Sequence, residues 1–181
     1  MVILIGGNSC TGKTLLSQKL MEKYKIPYLS IDHLKMGIIR GCPECDFTPE
    51  SEDETITKKL WPIIKGIIMT NIENKQNIII EGVYLPYNIN DLKTEYISKI
   101  IFCKICFSKK YIKKHLNGKI IKNKSVIEHR GYDFGYTPEK YTEDNEFTKK
   151  ICKENNIKYF EIKESYKKEI NNVFKWIGKN V

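Results

Sequence analysis

The chain reads as an α/β protein, a doubly wound five-stranded parallel sheet with helices on both faces. Three observations predict this. Five short apolar runs recur along the chain, each separated from the next by a segment with helical spacing. The two longest runs are apolar without alternation, as strands buried on both faces are. The first run passes directly into a glycine-rich turn and then into an amphipathic segment, which is how a βα unit begins. A length of 181 residues and a mass of 21.2 kDa fit a single domain over 1–181.

Residues 2–5 form the first strand, ended by Gly6 and Gly7. Apolar residues at 15, 16, 20, 21 and 24 predict a helix over 15–24. A second strand over 27–31 and a short helix over 33–39 follow. Residues 41–54 are a polar loop, in which Thr48-Pro49-Glu50-Ser51 resembles a helix start. The helix after it runs to about Glu73 on a stripe of Ile56, Leu60, Ile63, Ile64, Ile67 and Ile68, and Pro62 is expected to kink or divide it. Strands over 77–83 and 99–107 and a helix over 109–116 come next. The segment 117–141 is rich in Lys, Gly and Tyr and has weak periodicity; helix 143–154, strand 157–162 and helix 166–177 close the sequence. Trp61 and Trp176, at helical spacing, read as core residues.

Composition excludes several classes. Hydrophobic residues at 41% and charged residues at 29% are ordinary globular values, against disorder and fibrous repeats. No apolar stretch approaches the ~18 residues of a membrane span. The N-terminus lacks the basic region and long apolar core of an export signal, so the cytoplasm is the expected compartment. The net charge of +9 suits anionic partners such as nucleotides or phosphorylated metabolites. Lysine supplies almost all of it and reads as a solvating surface rather than a nucleic-acid footprint. The only two arginines, Arg40 and Arg130, stand out, because guanidinium is the better bidentate phosphate ligand.

Two cysteine pairs have C-x-x-C spacing. Cys103 and Cys106 lie on a strand, where residues three apart face opposite ways, so they do not join one metal site. Cys42 and Cys45 lie in the polar loop, free to chelate or oxidise; whether they hold a metal is open.

One motif outweighs the rest. Gly7-Asn8-Ser9-Cys10-Thr11-Gly12-Lys13-Thr14 fits G-x-x-x-x-G-K-[ST], between a strand and a helix as its chemistry requires. The glycines let successive backbone N–H groups converge on phosphate oxygens, and the helix N-terminus that Leu15 continues adds to the same field. Lys13 is placed to bridge β- and γ-phosphates, and the Thr14 hydroxyl to ligate Mg²⁺. Cys10 reads as a packing residue within the loop.

With this motif the chain resembles the small P-loop kinases, the adenylate, shikimate and gluconate kinase group. It is also similar to proteins described as 2-phosphoglycerate kinases or adenylate-kinase-like ATPases. The resemblance implies a P-loop NTPase fold of the nucleoside/shikimate kinase type, with the first strand between the third and fourth. It also implies a substrate-binding segment at about 33–60 and a lid at about 117–141. Asp32, at the end of the second strand, matches the acidic residue that holds an acceptor hydroxyl in such kinases; it also suits a helix N-cap. Glu81, at the tip of the third strand, matches the Walker-B position and would hold Mg²⁺ through water. Either carboxylate is a candidate base. Lys35 and Arg40 follow Asp32 and suit a phosphate or carboxylate on the substrate. Arg130, in the lid, suits the transferring phosphoryl group.

The chain departs from the adenylate kinases at two places. His115 and Lys119 occupy the positions of an Arg-x-x-x-Arg pair that contacts adenine, keeping partial charge without the planar fork. After the third strand, Gly82-Val83-Tyr84-Leu85-Pro86 lacks the arginine that grips AMP. The resemblance therefore implies a Mg-ATP-dependent kinase, expected to be monomeric, acting on a hydroxyl-bearing metabolite. A nucleoside monophosphate kinase, a nucleotide-binding module without phosphotransfer and a polynucleotide 5′-end kinase remain as alternatives.

Overall fold

A computed structural model describes residues 1–123 and 135–181. Its elements are β1 (Val2–Gly7), α1 (Lys13–Tyr24), β2 (Tyr28–Ser30), α2 (Ile31–Gly41), α3 (Asp53–Glu73), β3 (Ile78–Glu81), α4 (Thr94–Ile97), β4 (Ile100–Phe107), α5 (Lys109–His115), a π-helical turn (Leu116–Ile120), α6 (Pro138–Glu154), β5 (Lys158–Ile162) and α7 (Tyr166–Gly178). The strands form one parallel sheet in the order β2-β3-β1-β4-β5. The sequence predicts this α/β class and strand count, and the family resemblance implies the place of β1 between β3 and β4.

The strands are apolar without alternation because each face of the sheet carries its own core. Ile3 and Ile5 pack with Leu16, Leu20, Ile105, Phe107, Val173 and Ile177 on one face. Val2 and Leu4 pack with Ile56, Leu60, Ile64 and Ile68 of α3 on the other. Strand residues point alternately to the two faces, so successive residues of β1 serve different cores.

Several boundaries differ from the sequence reading. Asp32 does not end a strand: β2 stops at Ser30, and Asp32 lies in the first turn of α2. Ser30 holds the capping position instead, and the aligned helix N–H groups still favour a carboxylate in that turn. Pro62 does not divide α3, which is continuous over its 21 residues. α6 starts at Pro138, five residues before the expected start at 143, with the Thr137 hydroxyl accepting from the Lys140 N–H. The short α4 was not expected. Trp61 and Trp176 are half-buried at the margins of the two cores rather than within them. Among the described residues, no helix is long and apolar enough to cross a membrane.

Candidate active site

The carboxyl ends of parallel strands form the edge of the sheet where an open α/β fold places a crevice. Here β1 runs out at Gly7 and enters the loop that leads to α1. Gly7 has φ +136°, and a Cβ there would lie 2.2 Å from the Ile105 carbonyl oxygen. Glycine is thus required twice, by the backbone angle and by the closeness of β4. Cys10 (φ 62°) and Gly12 (φ 83°) are also left-handed, so the loop curls tightly before α1 begins at Lys13. A run of this kind turns backbone N–H groups toward one point.

The lysine and threonine of the loop already have partners. The Lys13 ammonium donates to the Asn8 carbonyl across the loop at 2.9 Å. The Thr14 hydroxyl donates to Glu81 Oε1, at the end of β3, at 3.0 Å. Glu81 is 2% exposed. Burial raises its pKa above the ordinary carboxylate range, while the charge of Lys13 and the Thr14 hydroxyl pull it down. Thr14 and Glu81 thus form a pair of hard oxygen donors next to the phosphate loop. Mg²⁺ favours such donors when it takes only one or two protein ligands beside phosphate oxygens, so the residues fit that ion.

Loop, helix and strand ends together line a cleft of about 560 Å³. The lining includes Ser9, Cys10, Gly12, Lys13, Thr14 and Leu15 with Glu81 and Asp32. Phe107 and Tyr111, stacked at 5.1 Å, Ile120 and the chain from Glu164 to Lys167 after β5 line it as well. Lys119 also lines it. His115 does not; it packs on the Tyr111 ring at 4.5 Å.

The other expected site residues separate into two groups. Lys35 is 7% exposed, donates to the Tyr84 hydroxyl at 2.9 Å and lies 3.8 Å from Asp32 Oδ1. Arg40 sits exposed in the last turn of α2, outside the cleft lining. Arg130 lies outside the described residues. Among the described residues no group of three or more His, Cys, Asp or Glu is arranged to hold a metal ion, and none of the six cysteines is in a disulfide.

The sequence reading missed how the phosphate loop is supported. Tyr141 of α6 donates to the Ser9 carbonyl, and Thr148 of α6 donates to Asn8 Oδ1 at 2.8 Å. The Tyr166 hydroxyl reaches the Thr11 carbonyl at 3.4 Å, and a Cβ at Gly12 would collide with it. No sequence signal marks these contacts, which join residues more than 130 positions apart. A second omission, Lys104, did leave a signal: it is the one charge in an otherwise apolar strand.

Neither the protein-family models nor the curated proteins contain a match to the chain. Solved structures do match. A provisionally described kinase from Chloroflexus aurantiacus aligns with TM-score 0.58 at 16% identity, covering 99% of this chain and 97% of that one. Shikimate kinase from Aquifex aeolicus aligns with TM-score 0.53 at 17% identity, covering 99% and 98%. Deoxyadenosine kinase from M. mycoides aligns with TM-score 0.51 at 14% identity, covering 99% and 100%. The chain shares the fold of these structures over nearly its whole length.

Proposed function

We propose that this protein is a phosphotransferase that moves the γ-phosphoryl group of ATP to a hydroxyl of a small-molecule acceptor. The observation that carries the reading is the tightly curled loop 7–14 opening onto the cleft, with Lys13 inside it and Thr14 hydrogen-bonded to Glu81. The kinase names of the matching structures support the same reaction class.

In this reading the nucleotide base takes the part of the cleft lined by Tyr111, Ile120 and the Glu164–Lys167 chain, with Lys119 beside it. The phosphates take the loop, where Lys13 exchanges the Asn8 carbonyl for phosphate oxygens. Thr14 and Glu81 would hold Mg²⁺, which would supply neutralising charge to the phosphates. Asp32, which lines the cleft, is assigned to orient the acceptor hydroxyl and receive its proton. Lys35 stands beside it. Arg130 is proposed as the lid cation that meets the transferring group. Arg40, exposed outside the cleft lining, lends no support to an adenylate-type acceptor site.

The test is ADP release from Mg-ATP against a panel of sugars, hydroxy acids, nucleosides, nucleoside monophosphates, phosphoglycerate and oligonucleotides. One acceptor class is expected to stimulate release. Lys13→Ala is expected to reduce the stimulated rate about a hundredfold or more, as loss of a charge-stabilising group does. Tight ATP binding with no stimulation by any acceptor would instead mark a nucleotide-binding module.

A further inference from the structure

Lys104 lies within β4, between Cys103 and Ile105, and is 1% exposed. A buried ammonium is costly unless it is paired, and an apolar side chain of similar length would fill the space without that cost. Its stem has room because its neighbour in β1 is Gly6: a Cβ there would come within 3.0 Å of Lys104 Cγ and 3.1 Å of Cε. Glycine thus opens a channel along which the lysine reaches past β1 to the chain that follows β3.

Two contacts await it there. The ammonium donates to the Leu85 carbonyl at 2.7 Å and lies 3.5 Å from the centre of the Tyr87 ring. Each contact leads further. Leu85 follows Tyr84, whose hydroxyl accepts from Lys35 beside Asp32, on the acceptor side of the cleft. The Tyr87 hydroxyl is 2.9 Å from Thr148 Oγ1, and that hydroxyl donates to Asn8 Oδ1 at 2.8 Å. The Asn8 carbonyl in turn accepts from Lys13 and from Thr11 at 2.9 and 2.8 Å. One buried amine therefore sits at the junction of a branch to the acceptor side and a branch to the loop of residues 7–14.

We infer that Lys104 is a positioning residue, which clasps residues 84–87 so that the acceptor-side groups keep a fixed placement relative to the phosphate loop. Burial, foremost, brings its pKa down to about 7, with Cys152 raising it and Lys13 lowering it further. The cost of burying the charge is thus real; the hydrogen bond to Leu85 needs an amine N–H, which an apolar side chain lacks, and the protonated head adds the attraction to the Tyr87 ring. The inference rests on the phosphotransfer reading for its kinetic consequence, but its structural consequence does not.

The experiment compares wild type, Lys104→Met, Lys104→Arg and Tyr87→Phe by amide hydrogen exchange, binding of a fluorescent ATP analogue with Mg²⁺, and kinetics with the acceptor the panel identifies. Lys104→Met keeps the stem and removes the buried charge, so its Tm is expected to hold or rise. Exchange in peptides spanning 82–92 is nevertheless expected to speed up about tenfold, the loss of one buried charged hydrogen bond. Acceptor KM is expected to rise about tenfold with ATP KM within about twofold, because the clasp holds the acceptor side directly. Lys104→Arg is expected to restore part of both effects. Tyr87→Phe, which keeps the ring and loses the bond to Thr148, tests the second branch should Lys104→Met not fold. It is expected to speed exchange at Asn8 while leaving the 82–92 peptides near wild type. Unchanged 82–92 exchange in a folded Lys104→Met, or an increase spread evenly over the whole chain, overturns the clasp. If no acceptor works on the wild type while 82–92 exchange still rises, the clasp stands and the phosphotransfer reading fails.

Discussion

Gly7 shows how much a single position can decide. Its φ of +136° and the 2.2 Å approach of a Cβ to the Ile105 carbonyl leave no room for a side chain. Gly7→Ala is expected to cost about 1–3 kcal/mol from backbone strain alone, and more from the displaced contact with β4. Nucleotide binding should fall with it, read as a lower Tm and a lost ATP-analogue signal. Lys104 carries a second consequence, in pH. Its pKa falls from 10.5 in the unfolded chain to about 7 in the folded one. Between those limits the unfolded state holds more protons, so this group makes stability rise with pH from about 7 upward. Wild-type Tm is expected to increase between pH 7 and pH 8.5 relative to Lys104→Met, in which the contribution is gone. Parallel Tm profiles for the two proteins would contradict the assignment.

Among the elements, α6 does the most to hold the site. Its Tyr141 and Thr148 lie more than 130 residues beyond their partners in sequence, yet they reach back to the Ser9 carbonyl and to Asn8. Asn145, fully buried between them, accepts from the Phe107 N–H at 2.8 Å and so fixes α6 to the end of β4. Thr148→Val preserves the shape and removes both hydroxyl bonds. It should weaken ATP binding about three- to tenfold, the worth of roughly one hydrogen bond, and leave α-helical content unchanged by circular dichroism. An unaltered ATP affinity would show that the loop is held by its own backbone alone. α3 contributes differently: Ile56, Leu60, Ile64 and Ile68 pack on the opposite face of the sheet, and Asp53 in its first turn lies close enough to Lys35 and Asp32 to feel their charge.

For the molecule as a whole, the strand order β2-β3-β1-β4-β5 puts β1 at the centre, with chain leaving to either side of it. The cleft therefore borders several elements at once: α1, the start of α2, the ends of β3 and β4, the π-helical turn and the start of α7. A ligand that fills it links them, and binding energy becomes folding energy. Mg-ATP at about a hundred times its Kd is expected to add about 2.7 kcal/mol, which for a chain of this size raises Tm by about 5–10 °C. Lys13→Ala should lose most of that shift. An equal shift in the variant would mean that ATP does not use the loop.

The sequence by itself determined the fold class, the five strands, the tight turn between β1 and α1 and the placement of Glu81 at the end of β3. These rest on local signals: apolar runs, helical spacing, and a motif whose residues are consecutive. It placed Asp32 one element too early, because apolar residues at 29 and 31 read equally well as strand or as the buried side of a helix start. It grouped Arg40 with Lys35, although they are five residues apart on one helix and only Lys35 turns toward the sheet. The support for the loop from α6, the aromatic lining of the cleft and the reach of Lys104 past Gly6 were decided only in the tertiary structure. Each joins residues that are distant in the chain, and such contacts exist only once the sheet has set which strand ends lie side by side.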